Sequence, residues 1–356
     1  MTGRTVQDPL ETDRGKPSRR GAGWLIKLVV SGLLIAWVVG RADLAQVLAA
    51  LKSAKPGYVV VAALTYPVGW TISITRWRLL LGAMRTRVPL SQVVQSYLSA
   101  IFVNNLLPST VGGDALRIYD SWRWGAGKAG AVAVIAVDRL MGIFVLLAFA
   151  VGAMTLAPHV IEELPLLPLW MGMSAAALVG LAGAAFLPIP GVRAWAAGQM
   201  RRLPPVLHRP VLRFAEALRG FRDDPKVLLR ALGLSVMLQL NVILHYVLLA
   251  KALSLPVQTS AFFLIIPISL AIMTIPITVN AIGLRENVFA FFLGMFGVPV
   301  STALAFSWLA FGLVLLQGSV GGVVYALRGS GGVREVPDAA RSAVAPDADS
   351  RPVPGS

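Results

Sequence analysis

The chain has 356 residues, 56% of them hydrophobic and only 14% charged, with a mean hydropathy of +0.72. An ordinary soluble domain carries about 25% charged residues, so this composition excludes a protein that is water-facing throughout, and repeated apolar runs of membrane length mark a polytopic α-helical membrane protein. The excess of 32 Lys and Arg over 17 Asp and Glu, a formal +15, then fits basic cytoplasmic loops on anionic lipid better than nucleic acid.

Residues 1–21 are rich in Arg, Gly, Pro and Asp without apolar periodicity, and are expected to form a disordered basic cytoplasmic arm. A first uncleaved span follows, Trp24 to Val39, behind Arg14, Lys16, Arg19 and Arg20. Leu44, Val47, Leu48 and Leu51 then fall at helical spacing, which predicts a short amphipathic helix on the far interface. Tyr58 to Leu81 returns inward and ends in the cytoplasmic cluster Arg76, Arg78, Arg85 and Arg87, with Trp77 as an interfacial anchor.

Leu90 to Tyr119 is apolar as far as Leu107, then holds Pro108 and the pair Gly112 and Gly113 before Asp114 and Arg117. A smooth helix does not run through a proline and a double glycine, so a broken hairpin entering from the cytoplasm is predicted, with Thr110 inside the break. Ala129 to Leu156 crosses outward, and Leu166 to Leu187 crosses back after a loop holding Glu162 and Glu163 but no Lys or Arg. Residues 188–230 form the longest polar stretch, a basic cytoplasmic loop with nine basic residues against three acidic ones. Ala231 to Leu253 crosses outward. Phe262 to Gly297 is a second broken hairpin, interrupted by Pro267 and Pro276, with Thr278 and Gly283 in the break and Arg285 and Glu286 at its end. Ser301 to Leu327 crosses inward, and residues 329–356 form a disordered tail. The expected fold is an all-α bundle of about six to eight spans over residues 22–328, with both termini cytoplasmic.

The two breaks share a pattern: Pro108-Ser109-Thr110-Val111 with Arg117 nine residues after the proline, and Pro276-Ile277-Thr278-Val279 with Arg285 at the same distance. One hairpin enters from each side, as two inverted-topology halves require, and paired interrupted segments of this kind point to a transport site at the midplane.

Charges near a span each need a partner. Asp114 and Arg117 are three apart and able to pair on a helix, whereas Asp138 and Arg139 are adjacent and face different directions, as do Arg285 and Glu286. Two roles stand open. Asp114 or Glu286 could neutralise an arginine of the other half and lock the fold. Alternatively Arg117 and Arg285 meet a lipid phosphate, helped by backbone N–H groups at Gly112 and Gly113. Asn104 and Asn105 precede the first break, where asparagine commonly satisfies freed backbone groups. Gln239 suits helix–helix bonding, His245 has no partner at metal-ligand spacing, and Gly318 and Gly322 form a small-residue face for packing within the chain. Zero cysteines exclude disulfides and thiolate sites. Neither metal nor cofactor is expected, and no hydrolase, nucleotide or metalloprotease motif is present.

The run from Phe102 through Asn104-Asn105-Leu106-Leu107-Pro108-Ser109-Thr110-Val111-Gly112-Gly113-Asp114 to Arg117 is specific, as is Asp138-Arg139-Leu140-Met141-Gly142. With Ile282-Gly283-Leu284-Arg285-Glu286, they resemble the lysylphosphatidylglycerol synthase transmembrane-domain family, or flippase-like domain, over about residues 24–328. Val279-Asn280-Ala281 departs from the small Gly/Ser-rich approach usual in that family. The resemblance implies movement of polar or anionic lipids between leaflets. The aminoacyl-transferase domain of the full-length synthases is not expected in the short stretch after Leu327. Family members act with aminoacyl-phospholipids, hopanoids and polyprenyl-linked sugars, so the cargo does not follow from the family.

The candidate substrate residues are accordingly Arg117, Arg285, Asp114, Asp138, Arg139, Glu286, Asn104 and Asn105. Expected partners are phosphate-bearing membrane lipids, and the anionic cytoplasmic leaflet through residues 188–230. An Arg-, Ala- and Gly-rich composition suggests a bacterial cytoplasmic membrane. The alternative to a translocator is an enzyme or accessory subunit in lipid-linked sugar or aminoacyl-lipid metabolism.

Overall fold

Proline at the first helical position costs no hydrogen bond, because that N–H has no intrahelical partner. Two long helices start this way in the computed structural model, which describes residues 19–106, 112–156, 221, 224–274 and 277–327. The helices are α1 (Arg19–Val39), α2 (Leu44–Lys52), α3 (Pro56–Ala83), α4 (Leu90–Leu106), α5 (Gly112–Ser121) and α6 (Gly127–Leu156). After the gap come α7 (Pro225–Ala252), α8 (Phe262–Met273), α9 (Leu284–Gly294) and α10 (Val300–Leu327). No strand occurs among the described residues. The expectations for residues 1–18 of the arm, the inward crossing near 166–187, most of the basic loop, the tail, Pro108, Thr110 and Pro276 lie outside them, whereas residues 19–21, expected in the arm, open α1.

Pro56–Ala83, Gly112–Ala153, Pro225–Ala252 and Val300–Leu327 are long and apolar enough to cross a bilayer. The α1–α2 pair adds up to one more, bent by 83°. The bend fits the amphipathic reading of α2: Asp43 caps it by accepting from Ala45 N–H at 2.9 Å, Val47 is buried, and Leu44 and Leu48 stay exposed.

The repeat extends well beyond the proline pattern. One interval along the chain separates Pro56 from Pro225, Arg85 from Ser254 and Thr86 from Leu255. α3 and α7 end identically, each with a non-glycine residue in the left-handed region (Arg85, φ 57°; Ser254, φ 53°). The next N–H then reaches back to a carbonyl five residues earlier, Thr86 to Leu81 at 3.0 Å and Leu255 to Ala250 at 2.9 Å. This is the Schellman closure, which satisfies carbonyls orphaned at a helix end. Each of these helices is followed by a broken hairpin, α4–α5 or α8–α9, and then by a long helix, α6 or α10.

Packing obeys the same exchange. α3 and α7 run antiparallel along each other, shown by Lys55 N–H donating to Ala252 O, Thr65 meeting His245, and Arg76 meeting Ser235. α4 lies on α10 and α8 on α6, so each hairpin's first arm packs against the long helix of the opposite half. Each second arm packs on the long helix of its own half, α5 on α6 and α9 on α10. Two halves in opposite orientation are thus interlocked around the α3–α7 seam.

The α4–α10 contact rests on small residues, as expected within one chain. A Cβ on Gly318 would meet the Asn105 amide, one on Gly321 the Leu98 carbonyl oxygen, and one on Gly322 the Phe102 ring at 3.0 Å. Asn105 also donates to Val314 O at 3.0 Å. Backbone cannot yield as a side chain tip does, so Gly321→Ala should cost about 1–3 kcal/mol. A thermal shift of the detergent-purified protein measures this, and an unchanged melting point would contradict the close approach.

Candidate functional site

The first hairpin is pinned by Asn104. Its Oδ1 accepts the Gly113 N–H at 2.7 Å, and Gly113 has no room for a Cβ against Asn104 and the Ala100 carbonyl oxygen. Gly112 and Gly113 open the α5 helix. The Gly113 N–H is therefore engaged within the hairpin. The physical reason is that α4 and α5 pack so closely that the amide lands on a side chain.

α5 and α6 place four ionisable residues against a fifth from α3. Asp138 is 4% exposed and lies 2.6 Å from Arg76 and 3.1 Å from Arg117. Both terminal nitrogens of Arg117 reach Asp138 Oδ2, and the guanidinium stacks over the Trp77 ring at 4.5 Å. Asp114 pairs with Arg139 at 2.7 Å and lies 3.8 Å from Arg117. The result is one continuous alternating chain, Arg76–Asp138–Arg117–Asp114–Arg139. Its Arg76 end is buried and hydrogen-bonded to Ser235 Oγ at 2.7 Å, while the Arg139 side chain at the other end is 51% exposed.

These five residues line a cavity of about 610 Å³. Its wall is completed by apolar side chains, among them Leu146, Leu238 and Met273, and by Asn280 and Ala281 of the second break. The two broken segments of the two halves therefore meet at one cavity. A volume between about 300 and 1,000 Å³ is the usual range for a bound small molecule.

Of the sequence candidates, Arg117, Asp114, Asp138, Arg139 and Asn104 line the cavity; Asn105, Arg285 and Glu286 do not. The expectation that Asp114 or Glu286 neutralises an arginine of the other half is corrected. Asp114 pairs with Arg139 and Arg117 of its own half, because α5 packs on α6 there. Glu286 pairs with its own neighbour Arg285 at 2.6 Å. Adjacent residues on a helix diverge at Cβ, yet the long Arg stem curls back and closes the gap. Arg285 also donates to Ser307 Oγ at 3.2 Å and stacks over Phe311 at 4.2 Å. Asp138 and Arg139, by contrast, take separate partners as their adjacency implies.

Arg76 was invisible as a site residue because it sits in an arginine-rich helix end that reads as a cytoplasmic flank. Its signal is position: Trp77 beside it is wholly buried, which no interfacial anchor is. The second break is strained at Asn280 (φ 49°) and Ala281 (φ 56°), both in the left-handed region. Gly283 (φ 81°) follows and is packed against the Ser31 carbonyl of α1. Gln239 bonds Gly142 O at 3.4 Å, and His245 Nδ1 lies 3.0 Å from Ala62 O and 3.1 Å from Thr65 Oγ1.

A family model described as the lysylphosphatidylglycerol synthase TM region matches residues 24–322, and the chain belongs to that family. No curated protein matches the chain.

Proposed function

We propose that this member of the lysylphosphatidylglycerol synthase transmembrane family moves polar-headgroup lipids between leaflets, holding the head group in the cavity that residues of both halves line. One observation carries it: a chain of alternating charges, buried at its Arg76 end, lines a headgroup-sized space in a bundle of apolar helices. Charges at membrane depth are costly and characteristically line substrate paths, and irregular backbone at that depth lines cavities. The inverted halves supply a path with two ends. We place the protein in a bacterial cytoplasmic membrane with both termini inside, the 188–230 loop lying on the anionic leaflet.

Reconstitution in vesicles tests it. Headgroup-labelled lipid should become accessible across the bilayer with its mass unchanged; a covalently altered lipid would instead assign an enzyme. Ile143 lines the cavity and is 39% exposed, so Ile143→Trp obstructs the space without overpacking a core. Flux should fall about tenfold or more, a barrier increase of about 1.4 kcal/mol, at an unchanged melting temperature. Undiminished flux in that variant would place the path elsewhere.

A further inference from the structure

The charged chain fixes what kind of head group the cavity can take. Among the described residues that line it, three are cationic (Arg76, Arg117, Arg139) and two anionic (Asp114, Asp138), an excess of one positive charge. Because the charges alternate, that excess is displaced to an end. The Arg76 end is closed, 5% exposed and bonded to Asp138 and Ser235. The excess therefore falls toward Arg139, the exposed end. Arg117 lines the cavity as well but is 7% exposed, with both terminal nitrogens held by Asp138. The rest of the polar lining among the described residues is neutral, the amides and hydroxyls of Ser73, Tyr97, Asn104, Gln239, Thr274 and Asn280, which suit hydroxyl groups.

We infer that the cavity selects a singly anionic phosphodiester head group bearing neutral hydroxyls, and discriminates against zwitterionic and cationic lipids. This rests on the proposed translocation of polar lipids and narrows its cargo. A monoanion brings the site to neutrality; in a medium less polarisable than water each unmatched charge is expensive. A zwitterion leaves the excess standing, and an aminoacyl lipid of net positive charge adds to it. Nε and Nη2 of Arg139 hold Asp114 Oδ2, which leaves the outer edge of the guanidinium, Nη1 and Nη2, to meet the oxygens of a phosphodiester.

Substitutions shift the arithmetic in opposite directions. Arg139→Gln leaves two cations against two carboxylates, so the preference for a monoanion over a zwitterion should vanish. Asp114→Asn leaves three against one, so a doubly anionic lipid should become the best ligand. Arg139→Lys keeps the count and should keep the preference.

The experiment is competition binding by native mass spectrometry on the full-length protein in detergent. The probes are phosphatidylglycerol, phosphatidylethanolamine, lysylphosphatidylglycerol, phosphatidic acid and cardiolipin. Wild type should prefer phosphatidylglycerol over phosphatidylethanolamine by about tenfold or more, with lysylphosphatidylglycerol weakest. Equal binding of the first two, tighter binding of the cationic lipid, or a preference untouched by Arg139→Gln overturns the inference. Deacylated glycerophosphoglycerol is included as a competitor. Its displacement of the lipid at equal concentration keeps the charge rule but assigns the ligand to soluble diesters. Flux is read separately in vesicles, so binding that follows the rule without transport upholds the charge selection and removes only translocation.

Discussion

Asp138→Asn should cost the fold about 3–5 kcal/mol, the usual penalty for removing one member of a buried ion pair. Here one carboxylate serves two guanidinium groups, Arg76 at 2.6 Å and Arg117 at 3.1 Å, and all three residues are under a tenth exposed. An amide keeps the shape, strands Arg76 and leaves Arg117 only the 3.8 Å contact with Asp114. A fall of roughly 10 °C in melting temperature and a reduced membrane yield are the expected readouts. Arg76→Gln should be milder, because Asp138 keeps Arg117 and the loss is one hydrogen-bonded cation that also holds Ser235. Combining Asp138→Asn with Arg76→Gln removes a matched pair and should recover part of the loss of Asp138→Asn alone. If the single variant melts within a degree or two of wild type, the carboxylate is not the hub of the lock.

The membrane class and the main helices were legible because the signals are local. Apolar length, an N1 proline and a proline–glycine break act within a few residues, so α3, α6, α7 and α10 fall close to where hydropathy and capping place them. The repeat was visible only at Pro108-x-Thr110-Val111 and its partner, since most of the equivalence is geometric. Arg85 and Ser254 share a left-handed conformation and nothing else. A Schellman closure depends on backbone, so it survives when the residue type drifts. Partner choice was the illegible layer. Charge balance says that Asp114 needs a cation, but whether that is Arg139, Arg117 or Arg285 depends on how α5 lies on α6. Arg76 shows the same limit from the other side, since an arginine next to other arginines carries no mark of burial.

The two halves use their arginines differently, although the chain positions correspond closely. In the first half Arg117 sits inside a shared network that opens on the cavity at Arg139. In the second half Arg285 is held by its neighbour, by Ser307 and by the Phe311 ring. An inverted repeat needs its halves to share a backbone frame, not a charge pattern. On the proposed translocation, one half holds the head group while the other supplies a wall.

That division predicts the behaviour of Glu286. Its two oxygens do separate work: Oε2 accepts the Gly283 N–H at 2.7 Å, and Oε1 takes Arg285 at 2.6 Å and Ser307 at 3.3 Å. The first bond secures the start of α9 after a left-handed stretch that no regular helix would tolerate. The second neutralises a buried cation. Glu286→Ala abolishes both and should cost about 3–5 kcal/mol, with a further contribution of about 1 kcal/mol from the lost cap. Glu286→Gln keeps one carbonyl oxygen for Gly283 yet strands Arg285, so it should fall slightly short of that loss. Adding Arg285→Gln to Glu286→Gln removes the stranded charge while leaving an amide to cap the helix, and most of the melting temperature should return. Because Arg285 does not line the cavity, the recovered double variant should also move lipid at close to the wild-type rate. A double variant that folds well but transports tenfold more slowly would return Arg285 to the lipid path and make the second half a working partner instead of a wall.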